Sequence, residues 1–333
     1  MPRLSRRAFV ATAGTAALAP RARARAQAAA APAFRRYLHY DVFTRTPHAG
    51  NQLAVFTDPQ GLATGAMASM TREMNYSECT FVLPADAPGT DRRLRIFGRA
   101  GNEMPFAGHP VIGSTFALAD EGLLSPGRGE MVWGLGLGPT PVALEWDGGR
   151  LRFAWMTQQR PVFGPVLPTG AALASAIGLA PDVLAPTLPV QEVSCGSAFY
   201  YVPLTTRAAV DRVQMNGREL EAMFARTNTT RRGLFVFTTE QGPDGATVYS
   251  RMVGANGFED PATGSASGPL GCYLVRHGLV TATKADAIVS AQGVAMGRPS
   301  RIHIRIGVSG GDITRVQVGG ESVLVGDGRL RSA

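Results

Sequence analysis

The chain has 333 residues, of which 45% are hydrophobic and 17% charged, enough to bury a sizeable core. Its formal net charge is +8, but residues 1–28 hold six arginines and no acidic residue, so the rest of the chain carries only +2. A charge this small removes the electrostatic case for a nucleic-acid partner.

The first 28 residues have the pattern of an export signal. Arg6 and Arg7 are followed by an apolar run that ends at Leu18, and residues 26–28 read Ala-Gln-Ala, a small-residue cleavage pattern. This order predicts a twin-arginine signal, whose cargo folds in the cytoplasm and works in the periplasm. A basic, alanine-rich tail is the alternative. Beyond the signal, no apolar run reaches the roughly 18 residues that a membrane span needs.

Cysteine, histidine and lysine usage excludes several kinds of site. Cys79, Cys195 and Cys272 form no C-x-x-C motif, and no two histidines lie four residues apart, so no metal site is expected. We expect the three thiols to be buried and unpaired, with one disulfide plus a free thiol as the alternative. The sole lysine, Lys284, belongs to no phosphate-binding loop motif.

The predicted elements before the repeat described below are short. Apolar spacing predicts strands at 37–43, 52–56 and 77–83 and a helix at 64–74. A proline-rich stretch near the midpoint predicts a connection between two lobes. We place the first lobe at residues 36–158 and the second at 159–330, with the C-terminal strand free to return to the first.

An internal repeat dominates the sequence, because residues 95–123 and 251–279 align without a gap. The identical positions are Arg95/Arg251, Gly98/Gly254, Gly101/Gly257, Glu103/Glu259, Pro105/Pro261, Gly108/Gly264, Leu118/Leu274, Gly122/Gly278 and Leu123/Leu279. Each copy predicts a strand, a Gly/Pro-rich turn and a helix that stops at a glycine. The first helix would start at Pro110, and Ser265 would be the N-cap of the second.

The repeat also predicts the fold class. Both helices are apolar on almost every face, so each should be buried. We expect an α+β fold of two pseudo-symmetric lobes, each a mixed β-sheet curled around a central buried helix. Duplicated halves of this kind usually face each other across a cleft. Two helix N-termini would then offer unpaired backbone N–H groups to an anion such as a carboxylate.

The helix starts supply the first candidate residues. Gly108 and Gly264 would let a ligand approach the backbone closely. His109 could act as acid, base or hydrogen-bond donor, and Asp260 could take part in proton transfer. Plain capping by Ser265 and an Asx turn at Asp260 are structural alternatives that the sequence leaves open.

Four motifs resemble the signatures of the PhzF-like phenazine-biosynthesis family, in order and over nearly the whole chain after the signal. They are Asp41-x-Phe43 with Gly50-Asn51-x-x-Ala54-Val55-Phe56; Asn75-Tyr76-Ser77-Glu78-x-Thr80-Phe81; Pro105-Phe106-Ala107-Gly108-His109-Pro110; and Asp260-x-Ala262-Thr263-Gly264-Ser265-Ala266-x-Gly268-Pro269. The family is similar in fold to diaminopimelate epimerase, whose two pseudo-symmetric lobes enclose the site. This agrees with the repeat.

The resemblance implies an isomerase that needs no cofactor and no metal. It would move a proton within a small, unsaturated, carboxylate-bearing substrate, and a homodimer is implied as well. Glu78, which spacing alone would leave as a solvated strand-edge residue, matches the general acid and base. The assisting polar positions match His109, Asp260 and Ser265, and the substrate-binding positions are Ser77, Gly108, Gly264 and Ala266.

Departures from the family's pattern bear on the substrate. Cys79 replaces a small residue such as serine, and Gln52 replaces the proline of a Gly-Asn-Pro motif. The export signal also argues against the phenazine-pathway substrate itself, since that pathway is expected in the cytoplasm.

Three other functions are alternatives to an isomerase of this kind. A two-cysteine racemase or epimerase on the same fold needs a thiol at each helix start, where this chain has Ala107 and Thr263. A serine hydrolase built on Ser265 lacks the G-x-S-x-G elbow. A periplasmic protein that only binds a small carboxylate stays open.

Overall fold

The structure, a computed structural model, describes residues 34–168, 170–228, 230 and 233–332. The export signal predicted for residues 1–28 lies outside these residues. Within them, no helix is both long enough and apolar enough to cross a membrane.

The first half of the fold alternates strands with a surface helix and a central helix. Its elements are β1 (Phe34–Val42), β2 (Asn51–Phe56), α1 (Thr64–Met74), β3 (Glu78–Pro84), β4 (Arg92–Gly98), β5 (Glu103–Met104), α2 (Gly108–Asp120), β6 (Glu130–Leu135), β7 (Gly138–Asp147) and β8 (Arg150–Gln158).

The second half follows the same order with added helices. Its elements are β9 (Val162–Leu167), α3 (Ala171–Ala176), β10 (Val190–Ser194), β11 (Ala198–Pro203), α4 (Arg207–Asp211), α5 (Gly217–Thr227), β12 (Gly233–Thr238), β13 (Val248–Val253), β14 (Glu259–Asp260), α6 (Gly264–Arg276), β15 (Ile288–Gln292), β16 (Ser300–Ser309), β17 (Asp312–Gly320) and β18 (Ser322–Arg331).

The strands of both halves belong to one mixed sheet. Most neighbours are antiparallel, and the parallel pairs are β2 with β3, β4 with β6, β11 with β12 and β13 with β15. The halves join where β8 pairs with β17. The last strand, β18, runs antiparallel to β1. The C-terminal segment therefore completes the sheet of the first half.

A buried helix lies at the centre of each half. Val111 and Ile112 of α2 are fully buried and pack in one core with β1, β2 and β8. Leu270 and Tyr273 of α6 are equally buried, in a core shared with β10, β11, β16 and β17. The sheet curls around both helices because their apolar surface covers almost the whole circumference. The predicted α+β fold, with one buried helix in each half, is confirmed.

Both central helices end in the same way. Gly122 follows α2 with a φ of 68°, and the N–H of Leu123 donates to the carbonyl of Leu118 at 2.8 Å. This arrangement is a Schellman ending, which needs a residue that tolerates positive φ. After α6 the corresponding residues are Gly278, with a φ of 71°, and Leu279 and Leu274, again at 2.8 Å. The identity of Gly122 and Gly278 in the repeat is thereby explained.

The starts of the central helices differ from the prediction. α2 begins at Gly108 rather than at Pro110, and α6 begins at Gly264. Ser265 lies inside the first turn of α6, so its assignment as the N-cap is wrong. Proline lacks an N–H and therefore fits anywhere in the first turn, where that donor has no intrahelical partner. A proline in the sequence therefore indicates the first turn of a helix, but not which residue begins it.

Candidate active site

Glu78 begins β3, and the strands on either side fix its position. It pairs with Gly98 of β4 on one side and with Leu53 of β2 on the other. Its side chain is only 16% exposed. The Oε2 atom is buried and has no hydrogen-bond partner among the described residues. A glutamate at the start of a strand is usually solvated, so its enclosure here is unusual.

His109 lies in the first turn of α2 and faces Glu78. Its side chain is 4% exposed, and its Nε2 atom lies 3.5 Å from Glu78 Oε2, too far for a good hydrogen bond. Its Nδ1 atom lies 3.1 Å from the amide nitrogen of Asn51. The two hydrogens of that amide are directed at Asp260 Oδ1 and Ala262 O, so the contact with Nδ1 does not assign the proton of the neutral ring.

Burial opposes charge on both members of this pair. The pKa of Glu78 is raised to about 8, mainly by burial and in smaller part by the carboxylate of Asp260, against an opposing contribution from Arg99. Burial lowers the pKa of His109 to about 3, against a smaller contribution from a backbone hydrogen bond with Gln52. At neutral pH the pair is therefore a mostly protonated carboxyl beside a neutral imidazole, not an ion pair. A carboxyl with a pKa near neutrality is able to take a proton and give it back.

Asp260 links the two halves of the fold. Its Oδ1 accepts hydrogen bonds from Asn51 Nδ2 at 2.7 Å and from Ser77 Oγ at 3.1 Å. Its Oδ2 accepts from Thr263 Oγ1 at 2.6 Å. Burial raises the pKa of Asp260 above its ordinary value, and these three hydrogen bonds offset part of that increase. Through Asn51 the carboxylate of Asp260 is connected to the ring of His109.

Asn51 is a site residue that sequence reasoning missed. It is 1% exposed, and its amide also donates to the carbonyl of Ala262 at 3.0 Å. Its partners His109, Asp260 and Ala262 lie 58, 209 and 211 residues further along the chain. The Gly50-Asn51 motif was the available signal, but nothing local showed that the amide would cross between the halves.

The two central helices meet at their N-termini, as the repeat predicted. A Cβ atom added to Gly108 would lie 2.5 Å from the carbonyl carbon of Gly264 and 2.5 Å from the nitrogen of Ser265. One added to Gly264 would lie 3.1 Å from Gly108 Cα. Even the methyl group of alanine would therefore collide with neighbouring atoms at both positions, and only glycine fits. The glycines let the two halves approach each other, in addition to any role in ligand approach.

The first turn of α6 offers fewer free amides than the sequence suggested. The N–H of Ala266 already donates to the carbonyl of Thr263 at 3.1 Å. This leaves Gly264 and Ser265 as the residues whose N–H groups have no intrahelical acceptor. Ser265 is partly exposed. Within the described chain its hydroxyl makes no hydrogen bond.

The structure also shows the helix starts at which a two-cysteine racemase would need its thiols. Ala107 and Thr263 are the N-cap residues of α2 and α6, so neither helix start carries a thiol. The three cysteines are buried and free, as predicted. In the described residues, no group of three or more His, Cys, Asp or Glu side chains is arranged to hold a metal ion.

Comparison with known proteins places the chain in a family. Residues 40–328 match the model of the phenazine biosynthesis-like (PhzC-PhzF) family. An uncharacterized isomerase from Mesorhizobium japonicum is 34% identical over 300 residues, which cover 89% of this chain and 98% of the relative. The trans-2,3-dihydro-3-hydroxyanthranilate isomerase of Pseudomonas aeruginosa is 33% identical over 294 residues, covering 88% and 98%.

A solved structure supports the same placement. The predicted epimerase from Pseudomonas aeruginosa superposes with a TM-score of 0.74 at 32% identity, over 90% of this chain and all of its own. Its likeness extends through both halves, including the two central helices. The sequence match, the shared fold and the names of the relatives agree. The chain belongs to the phenazine biosynthesis-like (PhzC-PhzF) family and is an isomerase of that family.

Proposed function

We propose that this isomerase moves a proton from one carbon of a small unsaturated carboxylate to another, with Glu78 as both base and acid. One observation carries the proposal: Glu78 Oε2 and His109 Nε2 are buried, face each other at 3.5 Å, and have no hydrogen-bond partner among the described residues. Buried polar atoms are nearly always satisfied, so an unsatisfied pair needs an explanation. A substrate atom held against both would supply the missing contacts.

The proton is conserved in the proposed cycle. Ionised Glu78 takes a proton from a carbon beside the unsaturated system, and the electron pair spreads into that system. The neutral carboxyl then gives the same proton to a carbon further along, which regenerates the carboxylate. Because the pKa of Glu78 is about 8, both protonation states are accessible near neutral pH.

His109 and Asp260 have supporting roles in this proposal. The Nε2–H of His109 donates to the substrate where negative charge develops, and a neutral ring does this without the cost of a buried ion. Asp260 accepts from Asn51, whose amide nitrogen faces Nδ1 of His109. That chain of contacts orients the ring, and in this proposal the ring proton is on Nε2.

The substrate carboxylate is proposed to bind at the paired helix starts. The N-terminal ends of α2 and α6 come together where Gly108 contacts Gly264. Helix N-termini favour anions through their free N–H groups and their partial positive charge. Ser77, which already donates to Asp260, and Ser265, whose hydroxyl is free within the described chain, flank this place.

The first compound to test is trans-2,3-dihydro-3-hydroxyanthranilate, because the Pseudomonas aeruginosa relative is named for its isomerisation. It has the required parts: a carboxylate and a partly unsaturated ring. The export signal predicted for this chain leaves a different, extracytoplasmic substrate as the competing proposal. A panel of cyclic unsaturated carboxylates therefore belongs in the same assay.

The test follows conversion of each compound by proton NMR in ordinary water, and a second run in heavy water shows whether the transferred hydrogen stays on Glu78 or exchanges with solvent. We expect the native protein to isomerise a member of the panel, and Glu78→Gln to lower turnover by roughly 10³-fold, since a general acid and base contributes about 10² to 10⁴. Glu103→Gln, which changes an exposed glutamate of the first half, is the matched control. Full turnover by Glu78→Gln would refute the assignment. Tight binding without turnover by the native protein would favour a carboxylate-binding protein.

A further inference from the structure

The two copies of the repeat contain the same turn just before the site. In the first copy Gly98 N donates to Asn102 O at 2.9 Å, and Gly101 N donates to Gly98 O at 2.7 Å. In the second copy the corresponding bonds run from Gly254 to Phe258 at 2.6 Å and from Gly257 to Gly254 at 2.9 Å. The backbone of the two turns is therefore alike, while their side chains differ.

These two turns touch each other through one pair of side chains. The guanidinium carbon of Arg99 lies 3.9 Å from the centre of the Phe258 ring, which is cation–π contact. Arg99 is exposed, and its Nε makes only a long bond, 3.5 Å, to the carbonyl of Tyr76. Among the described residues it has no carboxylate within ion-pairing distance. The contact joins the first half of the fold to the second.

The contact lies directly beside the two carboxylates of the site. The backbone N–H of Arg99 donates to the carbonyl of Ser77, and the preceding residue is the strand partner of Glu78. Phe258 comes two residues before Asp260, at the entrance to β14. Any movement that separates the halves would pull the ring of Phe258 away from the guanidinium.

We propose that Arg99 and Phe258 form a clasp between the two halves, and that the clasp holds the charge of Arg99 beside Glu78 and Asp260. Arg99 is then a positioning residue, which acts through Glu78 and touches no reacting atom. When the halves separate, the guanidinium is no longer held beside the two carboxylates, and its charge acts on them more weakly. Closure of the site is thereby coupled to the ionisation of Glu78.

The charges around Glu78 support this assignment. The groups that face it are His109 from α2, Asp260 from β14 and Arg99 from the turn, with the Cys79 thiol next to it on β3. Of these, Arg99 alone is a cation at neutral pH, since burial keeps His109 neutral. Its charge lowers the pKa of both Glu78 and Asp260.

The experiment measures the two carboxyls directly and needs no substrate. Glutamate and aspartate are labelled with ¹³C at the side-chain carboxyl, and Glu78→Gln and Asp260→Asn identify the two signals during a pH titration. Arg99→Met keeps the length of the side chain and removes the charge, while Arg99→Lys keeps the charge. Phe258→Leu removes the ring, and Arg218→Met removes an exposed positive charge from α5 as the control. Circular dichroism checks that each variant is folded.

We expect Arg99→Met to raise the titration midpoint of Glu78 by about half a pH unit, because an opposite charge nearby favours the ionised carboxyl. Phe258→Leu should shift it in the same direction by less, Arg99→Lys should restore most of the native value, and Arg218→Met should leave it unchanged. No difference between Arg99→Met and Arg218→Met would overturn the proposal. A shift in Arg99→Met that Phe258→Leu does not share would show that the charge acts without a clasp, and would overturn it too.

The clasp matters for catalysis only through the proposed role of Glu78, on which this inference rests. The two proposals can nevertheless be refuted independently. If no compound is isomerised, the proposed function fails and the titration still reports on the clasp. If the titration midpoints do not move, the clasp fails and the role of Glu78 in turnover is untouched.

Discussion

Each copy of the repeat joins its hairpin with the same ion pair, in different surroundings. Arg95 bonds both oxygens of Glu103 across β4 and β5, and Arg251 bonds both oxygens of Glu259 across β13 and β14. The first pair is at the surface, with side-chain exposures of 18% and 37%. The second is 10% and 13% exposed. Identical residues therefore hold identical hairpins, one pair partly exposed and the other largely buried.

The reactive side chains, in contrast, are not duplicated. His109 aligns with Ser265, and Asp260 aligns with Met104. Strand register makes Gly233 the equivalent of Glu78, because Thr80 pairs with Ile96 and Phe235 pairs with the matching Met252. The backbone common to both copies of the repeat brings two helix starts together, but only the first half supplies a base. This asymmetry suits a single carboxyl that takes and returns one proton, rather than two bases on opposite faces.

The largest expected difference between the copies concerns the two arginines. Arg251 also donates to the carbonyls of Val210, Asp211 and Val213. Arg251→Met should therefore lower the free energy of unfolding by about 3 to 5 kcal/mol, since it leaves a buried carboxylate unpaired. Arg95→Met should cost no more than about 1 kcal/mol. Urea unfolding measures both, and equal costs would show that burial does not distinguish the two pairs.

The pH dependence of stability tests the burial of Glu78. Its folded-state pKa, about 8, lies above the unfolded value of 4.5, so the folded protein binds more protons between these values. The contribution of Glu78 to the free energy of unfolding should therefore fall as pH rises from about 4.5 to 8, by roughly 2 to 4 kcal/mol, while the buried imidazole of His109 contributes in the opposite direction below about 6.5. Glu78→Gln should remove this fall, and Glu103→Gln should not. A native protein whose stability rises over that interval as much as the variant's would contradict the buried, uncharged carboxyl.

The smallest of the three effects concerns the contact between the helix starts. A methyl group at Gly108 would overlap the backbone of Gly264, whereas one at Gly65 in α1 would meet open space. Gly108→Ala should cost roughly 1 to 3 kcal/mol. Gly65→Ala should be neutral or stabilise the protein by up to about 1 kcal/mol, because alanine favours helix. Thermal unfolding measures both, and a harmless Gly108→Ala would mean that the halves do not touch there.

Local features were predictable from the sequence. The helix ends at Gly122 and Gly278 follow a rule that involves only neighbouring residues, and α1 has the predicted bounds, Thr64–Met74. The duplicated frame was visible because both copies keep the residues that the backbone needs. The N-cap at Ser265 was wrong, because a serine near a helix start can lie in the first turn without capping it.

The site itself depended on distant contacts. Asn51 and Asp260 are 209 residues apart, so no local pattern could show their hydrogen bond. The burial of Glu78 depends on β2, β4 and α2 arriving around it, whereas its own neighbourhood predicted a solvated residue. Family resemblance singled out Glu78, but it did not show which strands and helix bury the side chain and so raise its pKa.

The pairing of β18 with β1 has a consequence for how the molecule is made. The strand nearest the start of the described chain finds one of its two neighbours only when the last residues have been synthesised. Contacts of such long sequence separation slow folding, because a large loop must close before they form. The ribosome must release nearly the whole chain before the first half can reach its final structure. Shortening the C-terminus by ten residues would therefore expose an unpaired strand edge at the opposite end of the sequence.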